Sequence, residues 1–198
     1  GNAEGRRREE MVDGGASNRS PRRRLGVGMG RRGDGRNEDG IGETIERIVV
    51  GAGAAAREIA VIRRPGRGPG LFWLGGFRSD MVGTKALALD DFGRDHGLAV
   101  TRFDYSGHGV SGGRFEDGTI SRWAEEAAAV FATTEGPQIL VGSSMGGWMA
   151  LLLARAHLTA VGRAASRLKA LVLIAPAPDF TEELMWAGFS EEIRREIL

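Results

Sequence analysis

The chain has 198 residues, enough for one domain with a substantial core and too few for two ordinary ones. Hydrophobic residues make up 41% and charged residues 27%, and a net charge of +1 gives no general attraction to nucleic acid or to an anionic membrane. The sequence contains no cysteine, which excludes a disulfide framework, a thiolate nucleophile and a thiolate-bound metal; no apolar run approaches the length of a bilayer span, so a soluble protein without stable membrane insertion is expected.

Residues 1–40 mix arginine clusters with glycine and have no hydrophobic period, which predicts a disordered Arg/Gly-rich extension. A nucleic-acid arm or an organelle transit peptide would use such arginines. Glu4, Glu9, Glu10, Asp13, Asp34, Glu38 and Asp39 interrupt them, which favours a merely solvated segment and no nucleic-acid partner.

Residues 41–198 read as the N-terminal portion of a single α/β domain. The runs "TIERIVV" and "REIAVIRR" form an opening pair of strands around "GAGAAA". Leu71 to Leu74 make a short buried strand stopped by Gly75-Gly76, and "TKALALDDFGRDHG" a helix with Ala86, Leu89 and Phe92 on one face and a glycine stop after His96. "LAVTRFDY" is a strand, and Ile120, Trp123, Ala127 and Phe131 recur at helical spacing. The strand "QILVG", the helix "MGGWMALLLARAHL" and the strand "LKALVLIAPAP" follow, and "DFTEELMWAGFSEEIRREIL" closes the chain as helical sequence. Alternation of this kind predicts a mostly parallel sheet with helices on both faces.

Gly142-Ser143-Ser144-Met145-Gly146 matches G-x-S-x-G between a buried strand and a helix, the context the pattern requires. Ser144 is then the central residue of a sharp turn, with Gly142 and Gly146 supplying the room for strand and helix to approach each other. At a helix N-terminus the unpaired N–H groups face any developing oxyanion, so the Met145 N–H is one expected donor. The second is expected from the loop after "LFWL", where the Phe77 N–H follows Gly75-Gly76. Ser143 occupies a variable position and reads as structural. Trp148, Met149 and Leu151 to Leu153 read as helix core, although Trp148 is near enough to Ser144 to border an acyl pocket.

The segments "GLFWLGGFRSDMVGTKALALDDF", "RFDYSGHGVSGG", "GTISRW" and "GPQILVGSSMGGWMALLLA" resemble α/β-hydrolases, in particular the branch of serine hydrolases that includes the mitochondrial palmitoyl-protein thioesterase and acyl-glucuronide esterase with its bacterial relatives. The resemblance covers about residues 57 to 198. It implies the α/β-hydrolase fold and a hydrolase of esters or thioesters, acting through an acyl-enzyme on Ser144 with a small-molecule or acylated-protein substrate. It also places the lid of the fold at "TEELMWAGF", where Met185, Trp186 and Phe189 either line an apolar channel or pack plainly on the sheet. A cytoplasmic location is expected from the composition, with a mitochondrial one as the alternative the resemblance implies.

A serine of this kind needs a base and an acid that follow it in the chain. His96 and His108 precede Ser144, and His157 falls on the far part of the helix that begins there, about 18 Å along its axis. Asp179 is more simply a helix cap than a displaced acid. The expectation is therefore that the sequence stops before the last strands of the fold, which would bring the acid and the histidine and cover the apolar strand Ala170 to Ala175.

Other chemistry is less well supported. Asp104 as a dehalogenase-like nucleophile competes with a serine already at the elbow, and it reads instead as the organiser of its glycine-rich loop. "GAGAAA" lacks the full G-x-G-x-x-G, and no G-K-[ST] follows the glycine runs, so no cofactor is expected. The competing functional class is a non-catalytic binding module or an inactive fragment.

Overall fold

The two opening runs fold back on each other: β1 (Ile45–Val50) pairs antiparallel with β2 (Arg57–Arg64) across a short 3-10 turn, Gly53–Ala55. The structure, a computed structural model, describes residues 43–180, 190 and 191. The expected extension over 1–40 and the proposed lid residues Met185, Trp186 and Phe189 lie outside the described residues. Along β2 the side chains alternate, as the period of two demands. Ile59 and Val61 enter the main core, while Ala60 and Ile62 meet Met81 on the other face.

The next strand, β3 (Arg67–Leu74), begins earlier than Leu71. The Gly/Pro content of "RPGRGPG" reads as loop, yet the Arg67 N–H donates to Gly97 O at 3.0 Å and the Gly70 N–H to Pro137 O at 2.8 Å. Pro69 has no N–H to offer a ladder, and the register against the following strand shifts between Arg67 and Leu71. The pairing is thus irregular but continuous.

Helix α1 (Thr84–His96) ends where expected, at Gly97 with φ 63° and ψ 32°, a left-handed stop. Its inward stripe differs from the expected one. Ala86, Asp90 and Gly93 are buried, whereas Phe92 is 48% exposed and stacks on His96 at 4.1 Å. At about 100° per residue Phe92 lies off the stripe centred on Ala86 and Gly93, and the inward place goes to Asp90, whose charge Arg64 neutralises.

Strand β4 (Leu98–Phe103) leads to α2 (Ile120–Ala132), whose first turn is capped by the Thr119 hydroxyl accepting the Arg122 N–H at 3.2 Å. Strand β5 (Gln138–Ser143), helix α3 (Met145–Ala165, interrupted at Gly162) and strand β6 (Leu168–Ile174) follow.

The sheet runs β1-β2-β4-β3-β5-β6; β1–β2 and β2–β4 are antiparallel and the other three pairs parallel. Alternate residues of the central strands face opposite layers. Phe72, Leu74 and Leu140 meet α2 and α3, and Trp73 and Val141 meet Ala86 of α1. Helices therefore lie on both faces, as expected for this α/β class. Among the described residues β6 pairs only with β5, and its Leu171, Val172 and Ile174 are 37%, 46% and 38% exposed.

Candidate active site

Strand β5 ends in Ser143 and α3 begins at Met145, so the whole change of direction falls on Ser144. Its φ of 55° with ψ of −122° is a conformation that L-residues adopt only where the surroundings impose it. Those surroundings are close. A Cβ at Gly146 would lie 1.9 Å from Leu74 O, and one at Gly142 would lie 2.2 Å from Gly146 O. Only residues without a Cβ let β3, β5 and α3 converge at this point.

The turn exposes one residue. Ser144 is exposed while Val141, Gly142, Ser143, Met145, Gly146 and Gly147 are all buried. Its backbone is tied on both sides: the Ser144 N–H donates to Ile174 O at 3.0 Å, and Ser144 O accepts from Gly147 N at 2.9 Å and from Ala177 N at 3.1 Å.

The loop after β3 lies against this turn, since a Cβ at Gly76 would be 3.5 Å from that of Ser144 and 3.3 Å from Ser143 O. Phe77 and Met145, both expected as donors, thus flank Ser144 from two elements. Neither backbone N–H has an acceptor among the described residues.

An aromatic cluster borders the elbow. Trp148 is half-buried and meets Phe180 edge-on at 6.1 Å, and Phe180 meets Phe77 at 5.5 Å. Phe77 in turn contacts Phe115 and Trp123. Phe180, buried and central to the cluster, escapes a sequence reading, because one aromatic at the start of a polar segment carries no periodic signal.

The segment after β4 is held by buried charges. Asp104 accepts the Met81 N–H at 2.7 Å and the Val110 N–H at 2.9 Å, and burial pushes its carboxyl above the usual carboxylate range. This is the organising role expected of it. Glu126, fully buried on α2, accepts the Ser106 N–H at 2.8 Å and pairs with Arg57. The sequence reading missed that carboxylate. A cleft of about 360 Å³ lies alongside, lined by Arg78, Ser79, Asp80, His108, Phe115 and Glu116 among others.

The three histidines are all accounted for elsewhere. His108 is buried with Nε2 accepting the Arg78 N–H at 3.2 Å and Nδ1 donating to Ser106 O at 3.2 Å, so neither nitrogen is free to take a proton from Ser144. Burial also lowers its pKa. His157 packs edge-on against Phe131 at 5.2 Å far along α3, and His96 stacks on Phe92 at the end of α1. Asp179 has φ 53° in the turn before Phe180.

The family model described as "Serine aminopeptidase, S33" matches residues 84–195. The mitochondrial palmitoyl-protein thioesterase ABHD10 of Homo sapiens is 39% identical over 122 residues, which are 61% of this chain and 38% of that protein. A crystal structure of a protein from Agrobacterium vitis S4 superposes with a TM-score of 0.71 at 48% identity, over 78% of this chain and 60% of that one. The α/β-hydrolase domain-containing protein 10 from mouse superposes with a TM-score of 0.62 at 32% identity, over 78% and 58%. The chain thus spans well under half of the curated relative and about three-fifths of the solved structures.

Proposed function

The chain belongs to the α/β-hydrolases of the serine aminopeptidase S33 family, and from that membership and the elbow geometry we propose that it carries the nucleophile half of a serine ester or thioester hydrolase. The observation that carries the proposal is the isolation of Ser144: one exposed, strained serine at a helix N-terminus, inside a ring of buried neighbours.

In the proposed reaction the Ser144 hydroxyl attacks the acyl carbonyl and loses its proton to a general base. The tetrahedral oxyanion accepts hydrogen bonds from the Phe77 and Met145 N–H groups, which cost no reorganisation because both elements are already fixed. Collapse expels the alcohol or thiol, protonated by the base, and leaves an acyl ester on Ser144. Water attacks that ester in a second round and releases the acid. The base and its carboxylate are assigned to the part of the relatives' length that this chain does not span, since none of its three histidines is available.

The human relative, a mitochondrial palmitoyl-protein thioesterase, favours a palmitoyl-type acyl group on a protein thiol and a mitochondrial location over the cytoplasmic alternative. The aromatic border of Trp148, Phe180 and Phe77 suits an apolar acyl chain. Among the described residues no helix is long and apolar enough to cross a membrane.

The engagement of every histidine elsewhere favours a second reading, a non-catalytic binding module. A fluorophosphonate probe separates the two in the full-length protein. Labelling mapped to Ser144 by peptide mass spectrometry supports the hydrolase; a folded, unlabelled protein supports the module.

A further inference from the structure

The loop that carries Phe77 is gripped from outside by two side chains of the segment after β4. His108 Nε2 accepts the Arg78 N–H at 3.2 Å, and Asp104 Oδ1 accepts the Met81 N–H at 2.7 Å. Arg78 needs such a grip. It is a non-glycine residue with φ 55°, a left-handed conformation that costs roughly 1 kcal/mol or more without a local compensation.

The grip is itself preorganised. Donation from Nδ1 to Ser106 O leaves the Nε2 lone pair facing the loop, and the ring is packed against Trp123 at 5.1 Å, Phe115 at 5.2 Å and Tyr105 at 5.8 Å. Asp104 is fixed by the Val110 N–H at its second oxygen, and its backbone oxygen accepts from the Ser111 hydroxyl at 2.7 Å. The Arg78 N–H belongs to the peptide plane that follows Phe77. Anchoring that plane restricts the rotations by which the Phe77 N–H could turn away from Ser144.

We propose that His108, supported by Asp104, is a positioning residue that holds Arg78 left-handed and so aims the Phe77 N–H at the oxyanion. The inference rests on the hydrolase reading of Ser144. It assigns His108 no proton transfer. Its work is that of a neutral acceptor, and any side chain of similar reach offering an oxygen acceptor should replace it.

The test compares His108→Phe, which keeps the ring shape and removes the acceptor, with His108→Gln, which restores one, in the full-length protein. Hydrolysis of p-nitrophenyl butyrate and amide exchange at Arg78 are followed together. His108→Phe should lower kcat about 10- to 100-fold, less than outright loss of an oxyanion donor, with KM nearly unchanged; Arg78 exchange should quicken at least about tenfold, and His108→Gln should recover most of both. Should His108→Phe fail to fold, His108→Leu takes its place. A folded apolar variant with unchanged kcat or unchanged Arg78 exchange overturns the proposal, as does a glutamine variant no better than the apolar one. If the wild type does not label at Ser144, the hydrolase reading fails, whereas Arg78 exchange still decides the grip.

Discussion

Ser143 and Ser144 are neighbours in the chain and opposites in the fold. Ser143 is 7% exposed at the end of β5, and Ser144 stands exposed on the turn with its backbone in a strained conformation. Ser144→Ala should therefore abolish fluorophosphonate labelling and ester hydrolysis in the full-length protein, while Ser143→Ala should keep activity within a few-fold. Equal loss in both variants would remove the basis for choosing Ser144.

The contribution proposed for Met145 is a backbone N–H, so its side chain should be replaceable within the limits of packing. Met145→Leu conserves volume and should cost less than about 1.5 kcal/mol with activity retained. Met145→Pro removes the N–H at the first helical position, where a helix tolerates proline. A drop in kcat of about 100-fold or more is expected even where the variant remains folded, as circular dichroism would report. Full activity in the proline variant would contradict the donor assignment.

Convergence at the elbow should appear as a steep sensitivity to one methyl group. A Cβ at Gly146 meets backbone oxygens of Leu74 at 1.9 Å and Gly75 at 2.6 Å, none of which can swing aside, whereas one at Gly75 meets nothing nearer than 3.7 Å. Urea unfolding should show Gly146→Ala destabilised by at least about 2 kcal/mol and Gly75→Ala by well under half of that. Similar midpoints for the two variants would mean that the elbow has more slack than its geometry indicates.

Glu126 should matter to stability as a buried charge. Its carboxylate faces the Arg57 guanidinium and the Ser106 N–H with no access to water, although Arg57 keeps a second partner in Glu125. Glu126→Leu should cost about 3 kcal/mol, and adding Arg57→Leu should recover part of that loss. A double variant simply additive in its two single effects would show that the pair is not coupled.

Burial holds the His108 pKa below the ordinary 6.5, against the milder opposing pull of its hydrogen bond to Ser106 O and of the charges on Asp104 and Glu126. The unfolded chain then binds the extra proton first as pH falls. The His108 contribution is complete above about 6.5 and is lost as pH drops from there toward the folded value. Thermal midpoints of the wild type should therefore fall between pH 7.5 and 5 more steeply than those of His108→Gln. Asp104 carries a raised pKa, chiefly from burial, and acts with the opposite sign. Parallel slopes would show that His108 does not titrate in this range.

The strand and helix alternation was legible because the later strands carry apolar runs and α1 ends at the glycine stop Gly97, signals that are local. The sharp strand-to-helix turn at Ser144 was legible for the same reason, being set by five adjacent residues. What the sequence concealed was settled at a distance. "AEEAAAV" looks like a helix surface until Arg57, 69 residues away, buries Glu126. Phe92 looked like core because it is apolar, yet the inward slot of α1 went to Asp90 through Arg64, 26 residues away. The early start of β3 was hidden by glycines and a proline that deter strands in general but suit its irregular pairing with β4 and β5.

Two of the ties on Ser144 come from beyond α3 in the chain: Ile174 O takes its N–H, and Ala177 donates to its carbonyl. During synthesis those partners leave the ribosome only after the whole of α3, so the strained turn is sealed by chain that has not yet emerged when the serine itself does. A nascent chain halted at Ala165 should exchange its Ser144 amide freely, and one extended past Phe180 should protect it. On the hydrolase reading, Ser144 would thus take up its strained posture only when β6 locks in beside β5.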